Sequence, residues 1–250
     1  MTQARLIRHG ESAANAGLST HDPALIELTP TGIAQARQIA DSLSCQPRLV
    51  ITSPFIRARA TAMPTLDTYP QVPVCTWPVQ EFTYLTASRC AHTTTAARRP
   101  WVEAYWCAAD PDYRDGPDAE TFREFIERAQ AFLDRLEGCE QDDIVVFSHG
   151  QFISAVVWLL RCPGLPIDHE GMCGYRRFEQ QNNIANGWGY SICQSGDGRW
   201  RLGPYVDAQG VSRGGSRLQA PVTVPTAPNC CSNATALLPS PHPGPDAESP

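Results

Sequence analysis

A histidine and an arginine stand side by side near the start of the sequence, in the run Arg8–Ser12 that reads RHGES. The run directly follows the apolar pair Leu6-Ile7, which is typical of a short buried strand. A neutral imidazole is a nucleophile, and a guanidinium fork fits phosphate oxygens two at a time. The pattern indicates a phosphate site with its own nucleophile, although a lone histidine at a strand end is more commonly structural.

Two further basic groups also follow apolar runs. After residues 49–51 (LVI), a turn leads into a helix that carries Arg57 and Arg59 near its start. After residues 144–147 (IVVF), Ser148-His149-Gly150 precedes an apolar helix from Phe152 to Leu160. Helix N-termini attract anions, and an arginine there adds a full charge. A solvated arginine is the alternative for Arg57 and Arg59.

The elements that must position these side chains alternate between strand and helix. Thr29-Pro30 starts a predicted helix, and a second, strongly amphipathic one is predicted from about Asp118 to Leu136. The first is expected to bury one face formed by these residues: Ile33, Ala36, Ala40 and Leu43. Residues 190–193 and 199–202 flank a Gly-Asp-Gly turn and predict a closing hairpin. Alternation predicts an α/β fold, a three-layer αβα sandwich with a mostly parallel central sheet.

Three motifs in this order resemble the histidine phosphatase superfamily, in its phosphoglycerate-mutase-like branch. They are RHGES with Asn15, then the spacing Ser53-Pro54-x-x-Arg57-Ala58-x-x-Thr61-Ala62, then Ser148-His149-Gly150. Each motif is weak alone, but three in order, each after a predicted strand, are specific. The resemblance covers about residues 4–203 and implies a phosphoglycerate-mutase-like fold.

The resemblance also implies roles for individual residues. His9 is expected to attack phosphorus and become phosphohistidine, while Arg8, Arg57 and His149 hold the phosphoryl oxygens. Fixed cationic donors suit this task because the transition state carries charge on three equatorial oxygens. Further substrate contacts are expected from Asn15, Ser12 and Gly150. Arg59 is expected to point elsewhere.

A leaving alkoxide needs a proton, so a carboxylic acid should stand opposite His9. The candidate is Glu81, in the run VQEFTYL of residues 79–85, where the family places its glutamate. Glu81 is expected to protonate the leaving oxygen and then to take a proton from the hydrolytic water. A surface glutamate at a strand end is the alternative interpretation, and Glu11 is the weaker rival for the role.

A long polar stretch at about residues 86–118 is expected to be a lid or binding insertion, with a plain helical excursion as the alternative. Its paired Arg98 and Arg99 are candidates for binding a second phosphate or a carboxylate of the substrate. An aromatic or apolar leaving group is expected instead if the site is lined by the stretch's aromatic residues: Trp101, Tyr105 and Trp106.

Composition excludes several classes of protein. The net charge of −6 and pI near 5.5 argue against nucleic-acid binding. All 20 basic residues are arginine, which excludes Schiff-base lysines and a Walker-type phosphate loop. The ten cysteines contain no Cys-x-x-Cys pair and the remaining histidines have no partner at ligand spacing, so we expect neither a metal nor a cofactor. No apolar run approaches the length of a membrane span.

The sequence predicts one catalytic domain over residues 1–209 and a disordered Pro/Ser/Ala-rich tail over residues 210–250. Without a leader-like N-terminus, the expected location is cytoplasmic. The leading hypothesis is a metal-independent phosphatase, a hydrolase that releases phosphate from a small phosphorylated metabolite through phosphohistidine at His9. A homodimer is left open as a further partner.

Two alternatives remain. The first is a phosphoglycerate-type mutase, which would return the phosphoryl group to another hydroxyl. The family's mutases carry a Tyr-Gly-containing stretch with a lysine after the acid glutamate, whereas this chain has no lysine. The second is a non-catalytic interaction protein that keeps the fold, which the retained set of catalytic residue types argues against.

Overall fold

One mixed six-stranded sheet forms the centre of the protein in the computed structural model, which describes residues 2–196 and 198–206. Its strands are β1 (Gln3–Arg8), β2 (Leu49–Thr52), β3 (Val74–Thr76), β4 (Asp143–Ser148), β5 (Gly189–Gln194) and β6 (Trp200–Val206). The helices are α1 (Pro30–Ser42), α2 (Ile56–Thr68), α3 (Ala87–Cys90), α4 (Thr95–Ala108), α5 (Phe122–Glu137), α6 (Gly150–Arg161) and α7 (His169–Gln181).

The strand order is β3-β2-β4-β1-β5-β6, and its first four strands are parallel. β5 runs antiparallel to β1 and forms the expected closing hairpin with β6. Because β2, β4 and β1 are neighbours and parallel, their carboxyl ends meet at one edge of the sheet. The three segments that follow them therefore start side by side.

Two hydrophobic cores cover the two faces of the sheet, as the three-layer prediction requires. Along β1, Leu6 packs into one core and Ile7 into the other, and Val50 and Ile51 of β2 divide in the same way. The smaller core contains side chains of α1 and α2. The larger one contains side chains of α4, α5, α6 and α7. The α/β sandwich with a mostly parallel sheet is confirmed.

Two helix predictions need correction. Ile33 is 45% exposed rather than buried, because the buried face of α1 is centred on Gly32, Ala36 and Ile39. The amphipathic helix begins at Phe122 rather than near Asp118, since Thr121 and Glu124 form a capping box that fixes the start of α5. The tail at residues 210–250 lies outside the described residues.

The stretch at about residues 86–118 contains the helices α3 and α4. Thr20, in the loop after β1, pairs with Thr93 in a short antiparallel bridge, and the backbone N–H of His92 donates to the carbonyl of Thr20 at 2.8 Å. The insertion is therefore attached to the segment that follows β1. Within the described part of the chain, no helix combines the length and apolar character needed to cross a membrane.

Candidate active site

The carboxyl ends of β1, β2 and β4 bring the three sequence motifs together. His9 directly follows β1, and its backbone N–H donates to the carbonyl of Ser148 at the end of β4 at 2.9 Å. The N–H of Ser53, just after β2, donates to the carbonyl of Phe147 at 3.0 Å. A sheet of this kind holds its ligands outside the carboxyl ends of its strands, and the hydrogen bonds between the strands fix where each motif starts.

His9 is buried, with 3% of its surface exposed. Its Nδ1 lies 2.6 Å from the carbonyl oxygen of Gly10, which can only accept, so Nδ1 carries the proton. The lone pair is then on Nε2, which accepts a hydrogen bond from Nε of Arg57 at 3.1 Å. Burial, followed by the charges of Arg57 and Arg8, lowers the pKa of His9 well below its ordinary value. The imidazole is neutral at physiological pH and presents a nucleophilic nitrogen.

Gly10 allows two segments of backbone to approach closely beneath His9. A Cβ atom at this position would stand 2.4 Å from the carbonyl oxygen of Gly32, at the start of α1. The N–H of Gly10 donates to Oγ1 of Thr61 at 3.0 Å, and that hydroxyl donates to the carbonyl of Arg57 at 2.6 Å. Thr61 therefore ties the backbone after His9 to the first turn of α2.

Both arginines of the site are held by backbone carbonyls. Nη1 of Arg8 donates to the carbonyl of Ile184 and Nη1 of Arg57 to that of Pro23, each at 2.5 Å. Burial lowers the pKa of Arg8, and it lowers that of Arg57 to about 10, so Arg57 remains a cation at neutral pH. A guanidinium is not deprotonated in proteins, so Arg8 is a cation as well. Nε of Arg8 is buried without a hydrogen-bond partner in the described part of the chain. A phosphoryl oxygen would satisfy it.

His149 is fully buried at the N-cap of α6, with its ring centroid 5.0 Å from that of His9. Its Nε2 lies 2.8 Å from Oγ of Ser53, and among the described residues Nδ1 has no partner. Burial, then the charge of Arg57, lowers the pKa of His149 well below its ordinary value. His149 is therefore a neutral imidazole beside His9, although it does not itself line the cavity that His9 lines.

Glu81 lies at the N-terminus of α6. Its Oε1 accepts hydrogen bonds from the backbone N–H groups of Gln151 at 3.0 Å and of Phe82 at 3.2 Å. Glu81 and His9 line the same cavity. Glu11, the rival acid, does not line that cavity, and its carboxylate accepts from the hydroxyl of Thr29 at 2.7 Å. Of these two carboxylates, Glu81 is the one that shares a cavity with His9.

Ser12 and Asn15 also line the cavity, while Gly150 does not. Oδ1 of Asn15 accepts from Oγ of Ser12 at 2.9 Å and from Nδ2 of Asn186 at 3.1 Å. Asn186 also donates to the carbonyl of His9 at 3.0 Å. A Cβ at Gly150 would stand 3.4 Å from Nε of Arg8, so this glycine packs against the guanidinium.

The cavity has a volume of about 270 Å³, and the insertion forms part of its wall through Cys90, Thr95, Arg98 and Val102. Arg98 donates from Nε to Oγ1 of Thr93 at 2.7 Å and from Nη2 to Oγ1 of Thr20 at 2.6 Å. Nη2 also contacts the carbonyls of Cys90 and Thr93. None of these acceptors is charged, so they do not neutralise the guanidinium.

The other candidates of the insertion lie elsewhere. Arg99 is exposed and does not line the cavity. Tyr105 and Trp106 are buried in the larger core, and Trp101 packs against the guanidinium of Arg89, 5.0 Å from its ring. Arg59 is exposed, in agreement with its expected direction away from the site. Of the paired arginines, Arg98 alone contributes to the cavity wall.

Several site residues received no role from sequence reasoning. Ser53 and Thr61 belong to the second motif, so the sequence predicts that they lie near the site. It does not predict their hydrogen-bond partners. Asn186 and the Ile184 carbonyl come from the loop before β5, and nothing in the local sequence ties that loop to His9. No group of three or more metal-ligating side chains is present in residues 2–196 and 198–206.

Several phosphatases are among the solved structures to which this chain is similar. α-Ribazole phosphatase from Shigella flexneri is 25% identical, with a TM-score of 0.63, and the match covers 81% of this chain and 95% of that one. Phosphoserine phosphatase from Entamoeba histolytica, in complex with phosphoserine, is 22% identical, with a TM-score of 0.64 and coverage of 84% and 100%. Mycobacterial glucosyl-3-phosphoglycerate phosphatase is 22% identical, with a TM-score of 0.61 and coverage of 81% and 97%.

Fold and site together define a phosphatase hydrolase of the phosphoglycerate-mutase-like type. The family model described as histidine phosphatase superfamily (branch 1) matches residues 5–182, and the chain belongs to this superfamily. None of the curated proteins matches the chain.

Proposed function

We propose that this protein hydrolyses a small phosphomonoester through a phosphohistidine intermediate on His9. The observation that carries the proposal is the orientation of the His9 ring. Its Nδ1 proton is committed to the carbonyl of Gly10, and its Nε2 lone pair is aligned on Arg57 in a cavity that Glu81 also lines. A neutral nucleophile beside fixed cations suits attack on a phosphate.

In the first step, Nε2 of His9 attacks phosphorus and the bond from phosphorus to the leaving oxygen breaks. Glu81 gives its proton to that oxygen, so the alcohol leaves neutral and Glu81 is left as a carboxylate. Because Oε1 of Glu81 already accepts two backbone hydrogen bonds, the proton is carried on Oε2. The Arg57 hydrogen bond to Nε2 passes to a phosphoryl oxygen.

In the second step, water attacks the phosphohistidine and the bond from phosphorus to Nε2 breaks. The Glu81 carboxylate takes a proton from the water, which returns the acid to its starting state, and inorganic phosphate leaves. Arg8, Arg57 and His149 stabilise the charge on the transferring group in both steps, the two arginines as cations and His149 as a neutral donor. We propose that the two arginines supply the charge that a metal would otherwise provide.

The cavity wall supports a proposal for the substrate class. Arg98 brings an un-neutralised cation to the part of the wall formed by the insertion, whereas Trp101, Tyr105 and Trp106 do not reach it. We propose a small phosphomonoester with a second anionic group, such as a carboxylate, which Arg98 attracts. Asn15 and Ser12 are proposed to contact the transferring phosphate.

The first test is phosphate release from 4-nitrophenyl phosphate and from carboxylated alkyl phosphates. We expect turnover by the wild type and its loss in His9→Ala. Turnover that is undiminished in His9→Ala would contradict the proposal, and the absence of turnover on every substrate would favour the interaction-protein alternative.

The mutase alternative has its own assay. Incubation with a phosphoglycerate, followed by separation of the isomers and phosphate, is expected to give free phosphate with little isomerisation. Isomerisation that outpaces phosphate release would assign the protein as a phosphoglycerate-type mutase.

A further inference from the structure

The proposed acid Glu81 stands on a segment with no regular secondary structure. Residues 77–86, between β3 and α3, belong to no helix or strand, so no ladder of backbone hydrogen bonds fixes them. A catalytic acid must nevertheless stay within hydrogen-bond reach of the leaving oxygen. Something outside the segment must hold its backbone in place.

The carbonyls directly before Glu81 are held by side chains from other elements. Nη1 of Arg128, on α5, donates to the carbonyl of Pro78 at 2.9 Å and to that of Gln80 at 3.0 Å. Between them, the carbonyl of Val79 accepts from Oγ of Ser148 at 2.6 Å. Three consecutive peptide groups are thus fixed, and the residue that follows them is the acid.

The Arg128 guanidinium is itself fixed. Its Nε and Nη2 donate to the two carboxylate oxygens of Glu120, each at 2.7 Å, which is the bidentate geometry that sets the plane of the fork. The group lies over the rings of Phe125 at 5.4 Å and Phe152 at 5.1 Å, and its side chain is 11% exposed. The N–H of Glu120 also donates to the carbonyl of Thr83 at 2.9 Å, beyond the acid.

We infer that Arg128, oriented by Glu120, is the positioning residue for the Glu81 carboxyl group, an inference that rests on the proposed acid role of Glu81. Arg128 fixes the chain on the N-terminal side of Glu81, and Glu120 fixes it on the C-terminal side. We call Arg128 and Glu120 the clamp. Its loss loosens the Glu81 carboxyl group but leaves His9, Arg8 and Arg57 in place, because none of them contacts Arg128 directly. The defect therefore depends on how much the leaving group needs a proton.

The experiment compares leaving groups. In Arg128→Met, which removes both carbonyl contacts and keeps an apolar stem, kcat/KM for an alkyl phosphate is expected to fall about tenfold or more. For 4-nitrophenyl phosphate, whose phenolate leaves without a proton, kcat/KM is expected to stay within about twofold. kcat/KM is the right quantity because it reports the steps up to phosphoryl transfer and excludes hydrolysis of the intermediate.

The matched control is Arg135→Met. Arg135 is on the same helix and also packs on an aromatic ring, 4.0 Å from the centroid of Trp77. The Arg135→Met substitution is expected to leave kcat/KM unchanged for both substrates. An equal fall for both substrates in Arg128→Met, or no fall for either, would overturn the inference. If Arg128→Met does not fold, Arg128→Lys, which lacks the fork, is judged by the same criterion.

Glu81→Gln separates this inference from the proposed function. If Glu81→Gln discriminates between the two leaving groups and the Arg128 variants do not, only the clamp is wrong. If Glu81→Gln itself shows no discrimination, the acid role of Glu81 fails and the inference fails with it.

Discussion

Nε of Arg57 donates a hydrogen bond to Nε2 of His9 over 3.1 Å, so the guanidinium marks the lone pair that the proposed reaction uses. The two side chains come from different motifs, one after β1 and the other in the first turn of α2. The contact both aligns the ring and places a positive charge beside it. That charge also contributes to lowering the pKa of His9, after the larger effect of burial.

Arg57→Met is expected to lower kcat/KM for 4-nitrophenyl phosphate by about a hundredfold or more, because a fixed donor to the transferring group is lost. Arg59 offers the matched control, since it lies two residues further along α2 and is exposed. Arg59→Met is expected to stay within about twofold of wild type. Equal losses in both variants would show that the effect arises from the helix and not from the contact with His9.

The acid limb of the pH–rate profile is a second prediction. Because the pKa of His9 is lowered well below its ordinary value of 6.5, the nucleophile stays neutral and kcat/KM is not lost as pH falls through 6.5. In Arg57→Met, removal of a neighbouring charge raises the pKa of His9, so the acid limb moves to higher pH. A wild-type profile that falls with a midpoint near 6.5, unchanged in the variant, would contradict this assignment.

Stability is expected to depend on pH through the two buried histidines. Folding lowers the pKa of both His9 and His149, so below pH 6.5 the unfolded chain binds protons that the folded chain does not. Stability is therefore lost as pH falls below the unfolded pKa, by about 1.4 kcal/mol per pH unit for each histidine. Urea titrations at several values between pH 5 and 7, the range in which histidine titrates, measure how the free energy of unfolding changes with pH.

His149→Gln is expected to remove about half of the histidine contribution to that slope. His169→Gln is the control. Because His169 is exposed, this substitution is expected to leave the pH dependence of stability unchanged. A wild-type stability that is flat between pH 6.5 and 5 would mean that neither imidazole is held neutral by the fold.

Ser53 is expected to set the proton position on His149. Oγ of Ser53 accepts from the N–H of Phe55 at 3.2 Å and lies 2.8 Å from Nε2 of His149, whose Nδ1 has no partner among the described residues. We predict that Ser53 donates to Nε2, which leaves the His149 proton on Nδ1. Ser53→Ala is expected to lower kcat about tenfold and to change the ¹⁵N tautomer signature of His149. Ser42→Ala, at the last residue of α1, is the control. An unchanged tautomer in Ser53→Ala would contradict the assignment.

Arg98 is expected to act on the non-transferred part of the substrate. With phosphoglycolate, Arg98→Met should raise KM about tenfold, whereas with ethyl phosphate, which lacks the carboxylate, it should change little. Arg99→Met is matched in sequence and chemistry but lies outside the cavity, and it should affect neither substrate. The same rise in KM for both substrates would show that Arg98 merely supports the insertion through Thr20 and Thr93.

The sequence was sufficient to predict the sheet and the strand ends because chemistry and fold coincide there. Apolar runs that precede Arg8-His9, Ser53 and Ser148-His149 become neighbouring parallel strands, so motifs distant in sequence meet at one edge. The prediction for α1 was less accurate at Ile33. Close contact between Gly32 and the Glu11 backbone turns that helix so that Ile33 faces outward, and such contacts depend on the packing of two segments.

The sequence does not predict hydrogen bonds between residues that lie far apart in the chain and meet only after folding. Asn186 bonds to the carbonyl of His9 across 177 residues of chain, and Arg128 reaches Pro78 across 50. The sequence shows that Arg98 and Arg99 are adjacent, but it does not show which of the two side chains faces the cavity. One turns toward Thr20 and the cavity while its neighbour faces solvent, and only the anchoring of the insertion decides between them.

The most direct test of the central claim is to trap the intermediate. Wild-type protein is mixed with excess phosphomonoester, quenched rapidly in alkali, and examined by intact mass and peptide mapping. We predict one added phosphoryl group per chain, acid-labile, located on His9 and absent from His9→Ala, while Arg59→Met retains it. Turnover without any phosphorylated chain on the timescale of one catalytic cycle, or the label on a residue other than His9, would contradict the proposed mechanism.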